Sequence, residues 1–297
     1  MQSILEWLYA PRQILALYEI GPRFRELFSL DCLKRAGTLL LIIAELFGVV
    51  LLDTPRTPRG PALDLTGYSV VFEDNFEGGA LDLDKWEYRG TGRSSSGRYF
   101  HPQQVRVEDG NLILRAEYRE DGPYGAQWYN GMLRTKEEFV YGYFEATCIA
   151  AKAGGSAWWL NAQGMTSSAL SQGGTGGAEL DIMEAYNTKN WYNRNSVGIN
   201  VHVDGYGEDL KSQQLGNWKV KNLYADYNTF GLLWTETEYI FYINGAEAAR
   251  SAFKDGVSQA PEYAILSLAL PMEILSGEDL GISTEFIIDS VRVLQKQ

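Results

Sequence analysis

The chain has 297 residues, 45% of them hydrophobic and 13% aromatic, which is enough apolar material for a sizeable core and too much for a disordered chain. A net charge of −12 with no basic run longer than two residues argues against nucleic acid or anionic lipid as the main ligand and points to a neutral one. Two cysteines and two histidines leave no basis for a disulfide framework, a Cys- or His-built zinc site or a His-dependent triad, so Cys32 and Cys148 read as single thiols.

Residues 1–60 differ from the rest. Ile4 to Tyr9 and Ile14 to Phe28 carry helical periodicity, and an apolar run follows from Thr38 to Leu52. That run, about 15 residues long and broken by Glu45, is shorter than the roughly 20 a spanning helix needs. Lys34-Arg35 before it and Asp53 after it nevertheless suit an N-in anchor, which would place the rest of the chain outside the cell or on its surface. Helices packed on the domain or on a partner are the alternative; a cleaved signal peptide fits poorly, since more than 30 residues precede the run. The stretch Thr54-Pro55-Arg56-Thr57-Pro58-Arg59-Gly60 reads as a linker to a domain over 61–297.

From Tyr68 the pattern changes to short alternating strands. Examples are Ser69 to Glu73, Gln104 to Val107, Leu112 to Tyr118, Gly142 to Ile149, Ser196 to Val203, Tyr239 to Ile243 and Phe286 to Leu294. Asp109-Gly110-Asn111 and Asn244-Gly245 supply turn signals between strands, and long helical periodicity is missing. The expectation is an all-β sandwich of the jelly-roll type, acting as a monomer.

Gly176-Gly177-Ala178-Glu179-Leu180-Asp181-Ile182-Met183-Glu184-Ala185-Tyr186 places three carboxylates within six otherwise apolar, strand-favouring positions. Alternation puts Glu179 and Asp181 on one face and Leu180 and Ile182 on the other. Glu184, five positions from Glu179, joins the acidic face only if a one-residue bulge falls near Ile182-Met183. The two glutamates would then stand about 13 Å apart at Cα for four strand steps, close enough for their carboxyls to approach about 5 Å, as double displacement with retention requires. Neighbouring like charges split their pKa values, which suits one ionised nucleophile and one protonated acid, with Asp181 between them as electrostatic partner. A solvated sheet edge and a Ca²⁺ cluster are the competing readings of these residues.

The run Glu179-Leu180-Asp181-Ile182-Met183-Glu184 resembles the active-site signature of glycoside hydrolase family 16 in its bulged E-x-D-x-x-E form. The likeness continues upstream in Phe72-Glu73-Asp74-Asn75-Phe76, Leu83-Asp84-Lys85-Trp86, Val105 to Leu112, Gly131 to Lys136 and Tyr141 to Glu145. Downstream it continues in Tyr239 to Gly245 and Ile288 to Val293, so that it spans about residues 65–295. It implies a concanavalin-like jelly roll whose concave cleft holds a β-linked polysaccharide, with Glu179 as nucleophile, Asp181 as helper and Glu184 as acid/base. No cofactor is required on this reading, although the family suggests a structural calcium near Glu73, Gly110 and Asp289. Where the family commonly shows W-P-A-x-W-L, the chain has Gly155-Ser156-Ala157-Trp158-Trp159-Leu160, which lacks the first tryptophan. Thr147 likewise stands where a basic residue is common.

Sugar rings present apolar C–H faces, so aromatic platforms are expected in such a cleft. Trp159, Trp158, Trp86, Tyr186 and Trp128 are the candidates, in that order, and alternation allows only one of Trp158 and Trp159 to face it. His202 is a further contact candidate, and the loop Ser94 to Tyr99 a candidate rim. The leading expectation is a retaining endo-β-glucanase acting on β-1,3 or mixed β-1,3/1,4-glucan. An endo-β-galactanase of agarase, porphyranase or mucin-glycan type, a transglycosylase and a non-catalytic carbohydrate-binding protein remain as alternatives.

Overall fold

The structure is a computed structural model describing residues 54–94, 98–166, 172–186, 195–254, 256–270 and 283–297. The helical periods, Cys32 and the apolar run 38–52 lie outside the described residues. Among those described, no helix is long and apolar enough to cross a membrane.

Strands dominate. In chain order they are β1 (Tyr68–Asp74), β2 (Trp86–Tyr88), β3 (Gly92–Arg93), β4 (Tyr99–Phe100), β5 (Val105–Glu108), β6 (Asn111–Arg119), β7 (Gln127–Thr135), β8 (Gly142–Ile149) and β9 (Gly155–Ala162). After the one-turn helix α1 (Gln163–Thr166) come β10 (Glu179–Tyr186), β11 (Ser196–Val203), β12 (Lys211–Lys219), β13 (Asn228–Trp234), β14 (Tyr239–Ile243), β15 (Ala246–Ser251), β16 (Glu262–Ala269) and β17 (Ser283–Lys296). The predicted strands recur here, β8, β11 and β14 with the same ends.

One antiparallel layer runs β2-β7-β16-β9-β10-β11-β12. The other runs β15-β14-β13-β8-β17, with β6 and β1 sharing the far side of the long β17. β7 belongs to both: Gln127, Trp128 and Tyr129 pair with β6, and Gly131 to Arg134 pair with β16. This is the expected jelly-roll sandwich. The sides of β9 and β10 that face the other layer carry Trp158, Leu160, Leu180, Ile182 and Met183, all at most 1% exposed and part of one continuous core. Burial of side chains of this size stabilises by about 1.5–3 kcal/mol each, which fixes the parity of both strands.

The Pro-rich stretch differs from its reading as a linker. Arg56 donates its N–H to the Asn217 carbonyl (2.8 Å) and accepts from the Lys219 N–H (2.7 Å), while its guanidinium lies 5.9 Å from the Trp218 ring centroid. Gly60 donates to the Glu247 carbonyl, and Glu247 donates back to Pro61 (both 3.0 Å). Proline favours the extended backbone that such pairing needs, so the compact body begins at Thr54 and not after Gly60.

Candidate active site

β10 delivers the acidic residues to the concave side. Against β9, Asp181 pairs with Trp159 and Met183 with Trp158, so Ile182 is the extra residue; against β11, the register likewise slips once between Asp181 and Glu184. This is the bulge that the spacing required. Because of it Glu179, Asp181 and Glu184 line one cavity of about 140 Å³, together with Arg98, Gly155, Ala157, Trp159, Tyr186, Ser267 and Ala269. The chain comes into β10 through Gly177, at φ +133°, where an added Cβ would stand 2.5 Å from the Ala162 Cβ. Only glycine suits both the angle and the approach.

Each glutamate has two hydrogen-bond donors, arranged differently. Tyr206 donates its hydroxyl to Glu179 Oε2, and Asn161 Nδ2 donates to the same oxygen (3.1 Å) and to the Tyr206 oxygen (2.7 Å). Tyr263 in turn donates its hydroxyl to Asn161 Oδ1 (3.2 Å), which orients the amide. At Glu184, the Tyr186 hydroxyl donates to Oε1 (2.8 Å) and Asn200 Nδ2 to Oε2 (2.5 Å). Between them Asp181, 5% exposed, has its Oδ2 3.1 Å from His202 Nε2, and His202 Nδ1 lies 2.6 Å from the Ser212 hydroxyl.

Burial pushes the Asp181 carboxyl up to about 8, against the pull of the His202 hydrogen bond and with the added repulsion of Glu184 and Glu179. Burial also raises Glu179; the Tyr206 hydrogen bond and His202 oppose the rise, and Glu184 adds to it. For His202, burial works against the charged ring, yet the hydrogen bond to Asp181 and its charge raise it on balance. Asp181 and His202 therefore titrate as a coupled pair, each raised from its ordinary value. The Tyr186 and Tyr206 phenols are driven upward, first by burial and then by the carboxylates they touch, so both remain donors.

The predicted platforms separate by parity and burial. Trp159 is half-buried on the cavity wall, its Nε1 donating to the Ser267 hydroxyl (3.2 Å), but the Arg89 guanidinium lies over its ring at 4.8 Å. Tyr186 lines the cavity and is 49% exposed. Its ring crosses Gly155, where a Cβ would meet Tyr186 Cε1 at 2.4 Å. This accounts for the departure from W-P-A-x-W-L, because Tyr186 fills the space of a side chain at that position.

Trp158, Trp86 and Trp128 are corrected to core residues. Trp158 points to the opposite face from Trp159 and is 0% exposed; Trp86 is equally buried, its Nε1 donating to Asp74 Oδ2 (2.8 Å). Trp128, 7% exposed, packs edge-on against Tyr118. His202 reaches the site through Asp181. Arg98, in the predicted rim loop, lines the cavity; Ser95 to Gly97 lie outside the described residues. Sequence reasoning missed Tyr206, Asn161, Asn200 and Arg89. Parity with Trp159 on β9 and with His202 on β11 could have found the two asparagines; no local signal marks the others.

One ligand atom each from Glu179, Asp181 and His202 lie within 4.8 Å of one another, the single such His/Cys/Asp/Glu group among the described residues. Each already has a hydrogen-bond partner within the protein. At the positions considered for calcium, the Lys85 ammonium donates to the Glu73 carbonyl (2.8 Å) and the Ser290 hydroxyl to Asp289 Oδ2 (3.1 Å).

A sequence model of the family described as beta-porphyranase A-D, GH16 domain, matches residues 70–279. The chain is similar to glucan endo-1,3-beta-glucosidase A1 of Niallia circulans, with 23% identity over 276 residues that cover 81% of this chain and 39% of that protein. It is also similar to keratan-sulfate endo-1,4-beta-galactosidase of Sphingobacterium multivorum, with 23% identity over 186 residues, 61% of this chain and 42% of that one. The chain thus spans less than half the length of these two curated relatives. Among solved structures, a kappa-carrageenase from Zobellia galactanivorans superposes with a TM-score of 0.66 at 21% identity, covering 82% of this chain and 100% of that one. At that identity the likeness speaks for the fold.

Proposed function

The chain belongs to glycoside hydrolase family 16, and from that premise we propose that it is a retaining endo-hydrolase of a β-linked polysaccharide. Glu179 is the nucleophile, Glu184 the acid/base and Asp181 the electrostatic partner. The observation that carries this reading is the single bulge that turns all three carboxylates of one strand into one cavity. In the first step Glu179 attacks the anomeric carbon as the glycosidic bond breaks, and the departing oxygen takes the proton of Glu184. In the second, water attacks the same carbon, gives a proton to Glu184, and the electron pair of the ester bond returns to Glu179. Asp181, hydrogen-bonded to His202, sets the charge beside Glu179.

Glu179→Gln should abolish hydrolysis while keeping glycan binding, since it removes the nucleophile and little volume. Unchanged hydrolysis in that variant would refute the assignment, as would inversion of the anomer observed by NMR.

For the glycan, two readings are supported. β-1,3 or mixed β-1,3/1,4-glucan follows from relatives such as the Niallia circulans enzyme. An endo-β-galactanase is favoured by the matched family model, by Gly155 and by the cleft arginines. Among the described residues Arg89 and Arg98 form no salt bridge, nor do Arg56, Arg59 and Arg93, whereas Arg106, Arg115, Arg119, Arg134, Arg250 and Arg292 do. Guanidinium groups with no salt bridge among the described residues, beside a catalytic cavity in so acidic a chain, suit a glycan with anionic substituents. Turnover of laminarin, lichenan, agarose, porphyran and mucin glycans, compared side by side, separates the two. A polymer of this size is met outside the cell, where we place the domain.

A further inference from the structure

The donors around the two glutamates differ in a way that bears on the reaction. At Glu184 they are split, one to each oxygen. At Glu179 they converge: Tyr206 and Asn161 both address Oε2, and no donor among the described residues addresses Oε1. The convergence is built in three linked bonds, because Asn161 holds the Tyr206 oxygen as well as the carboxylate and is itself held by Tyr263. The loop carrying Tyr206 is also anchored. Asp204, in the left-handed region at φ 69°, accepts the Gly173 N–H (2.8 Å) and the Lys211 ammonium (3.1 Å), and Lys211 reaches on to the Asp209 carbonyl (3.1 Å).

We propose that Tyr206 is a positioning residue of the nucleophile, holding Oε2 so that Oε1 attacks, and then supporting Oε2 as the carbonyl oxygen of the glycosyl ester until water cleaves it. This rests on Glu179 being the nucleophile. As the Oε1–carbon bond forms, negative charge drains from the carboxylate; as that bond breaks in the second step, the charge returns to both oxygens. A hydroxyl fixed on Oε2 interacts more strongly with carboxylate than with ester, so it favours the second step, in which Glu179 is the leaving group. The same hydroxyl opposes the effect of burial on Glu179. The other titratable or charged groups around Glu179 are Asp181 and Glu184 on β10, His202 on β11, Arg89 after β2 and Glu262 on β16.

The test is Tyr206→Phe, which keeps the ring and removes the hydroxyl. The acid limb of kcat/KM should move up by about one pH unit, since a donor to the ionised form is lost. kcat should fall about tenfold, with KM falling alongside as the intermediate accumulates. Acid quenching during turnover of laminarin or porphyran, whichever the wild type depolymerises, followed by mass spectrometry, should find a larger fraction of protein esterified at Glu179 than in the wild type. Tyr206→Ala, with the ring also gone, should show the same pH shift plus weaker substrate binding. An unmoved acid limb with no extra ester would overturn the role of Tyr206 and leave the nucleophile intact. Glu184→Gln given an aryl oligosaccharide, whose phenolate departs without an acid while ester breakdown still lacks its base, should accumulate ester at Glu179; its absence there would instead remove the reading on which this one rests.

Discussion

The two faces of β10 obey opposite rules although they alternate along eight residues. Toward the other layer stand Leu180, Ile182, Met183 and Ala185, each at most 1% exposed, where burial of apolar surface sets the register. Toward the cleft stand Glu179, Asp181 and Glu184, two of them driven up in pKa by burial and so costing stability in their ionised forms. A regular strand could not serve both faces with this sequence, because Glu184 would fall among the apolar residues. The extra residue at Ile182 reconciles them. Chemistry is thus borrowed from one face at the expense of order on the other.

The strongest way to break this contrast is to exchange Met183 and Glu184. The carboxylate should then face the core, with activity falling about 10²–10⁴-fold as the acid/base is withdrawn and the melting temperature dropping with it. Deleting Ile182 sharpens the point: it restores simple alternation and keeps Glu184 on the cleft side, so it should retain more activity than the exchange. If the exchanged variant hydrolyses as well as the deletion, the bulge does not aim Glu184.

Leu180→Ala acts on the other face alone. It should cost about 2–5 kcal/mol in denaturant unfolding while leaving the pH profile of kcat/KM where it was. A displaced profile would mean that the two faces are not separable.

The smallest effect concerns Glu262, the first residue of β16, whose Oε1 accepts the Ala178 N–H (3.0 Å) just before the catalytic strand. Its Oε2 is buried with no hydrogen bond within normal limits among the described residues, and burial pushes the carboxyl up to about 8 against the pull of the Ser258 side chain and the Ala178 N–H. Its folded value lies above an unfolded one of about 4.3, so the native chain binds more protons between the two and its stability falls as pH rises through that window. Glu262→Gln lacks this loss. Its stability relative to the wild type should therefore grow between pH 5 and pH 8, by about 1–3 kcal/mol; a constant difference by calorimetry would contradict the assignment.

Much of this was legible from local pattern. Strand ends such as those of β8 and β11, the acidic face and the bulge follow from alternation, which is a property of consecutive residues. The aromatic wall was less so. Alternation distinguishes Trp159 from Trp158, but it cannot tell whether Trp86 or Trp128 turns toward the cleft, since that depends on which layer their strands join. Tyr206 was out of reach, because it meets Glu179 from a loop 27 residues away in sequence whose path is set by Asp204 and Lys211. Arg89 was diluted in a negative total charge that says nothing of where cations gather.

The segment from Arg56 to Leu63 has a consequence of another kind. Among the described residues β12 ends one layer and β15 ends the other, and each presents backbone groups that no further strand takes up. Arg56 pairs beside Trp218 on β12, and Pro61 and Ala62 beside Glu247 and Ala246 on β15, so a few residues stitch both hems of the sandwich along one seam. Prolines in that thread cannot donate to a foreign strand. At these points the chain's own residues 56–63 occupy backbone groups to which a stray strand could otherwise add.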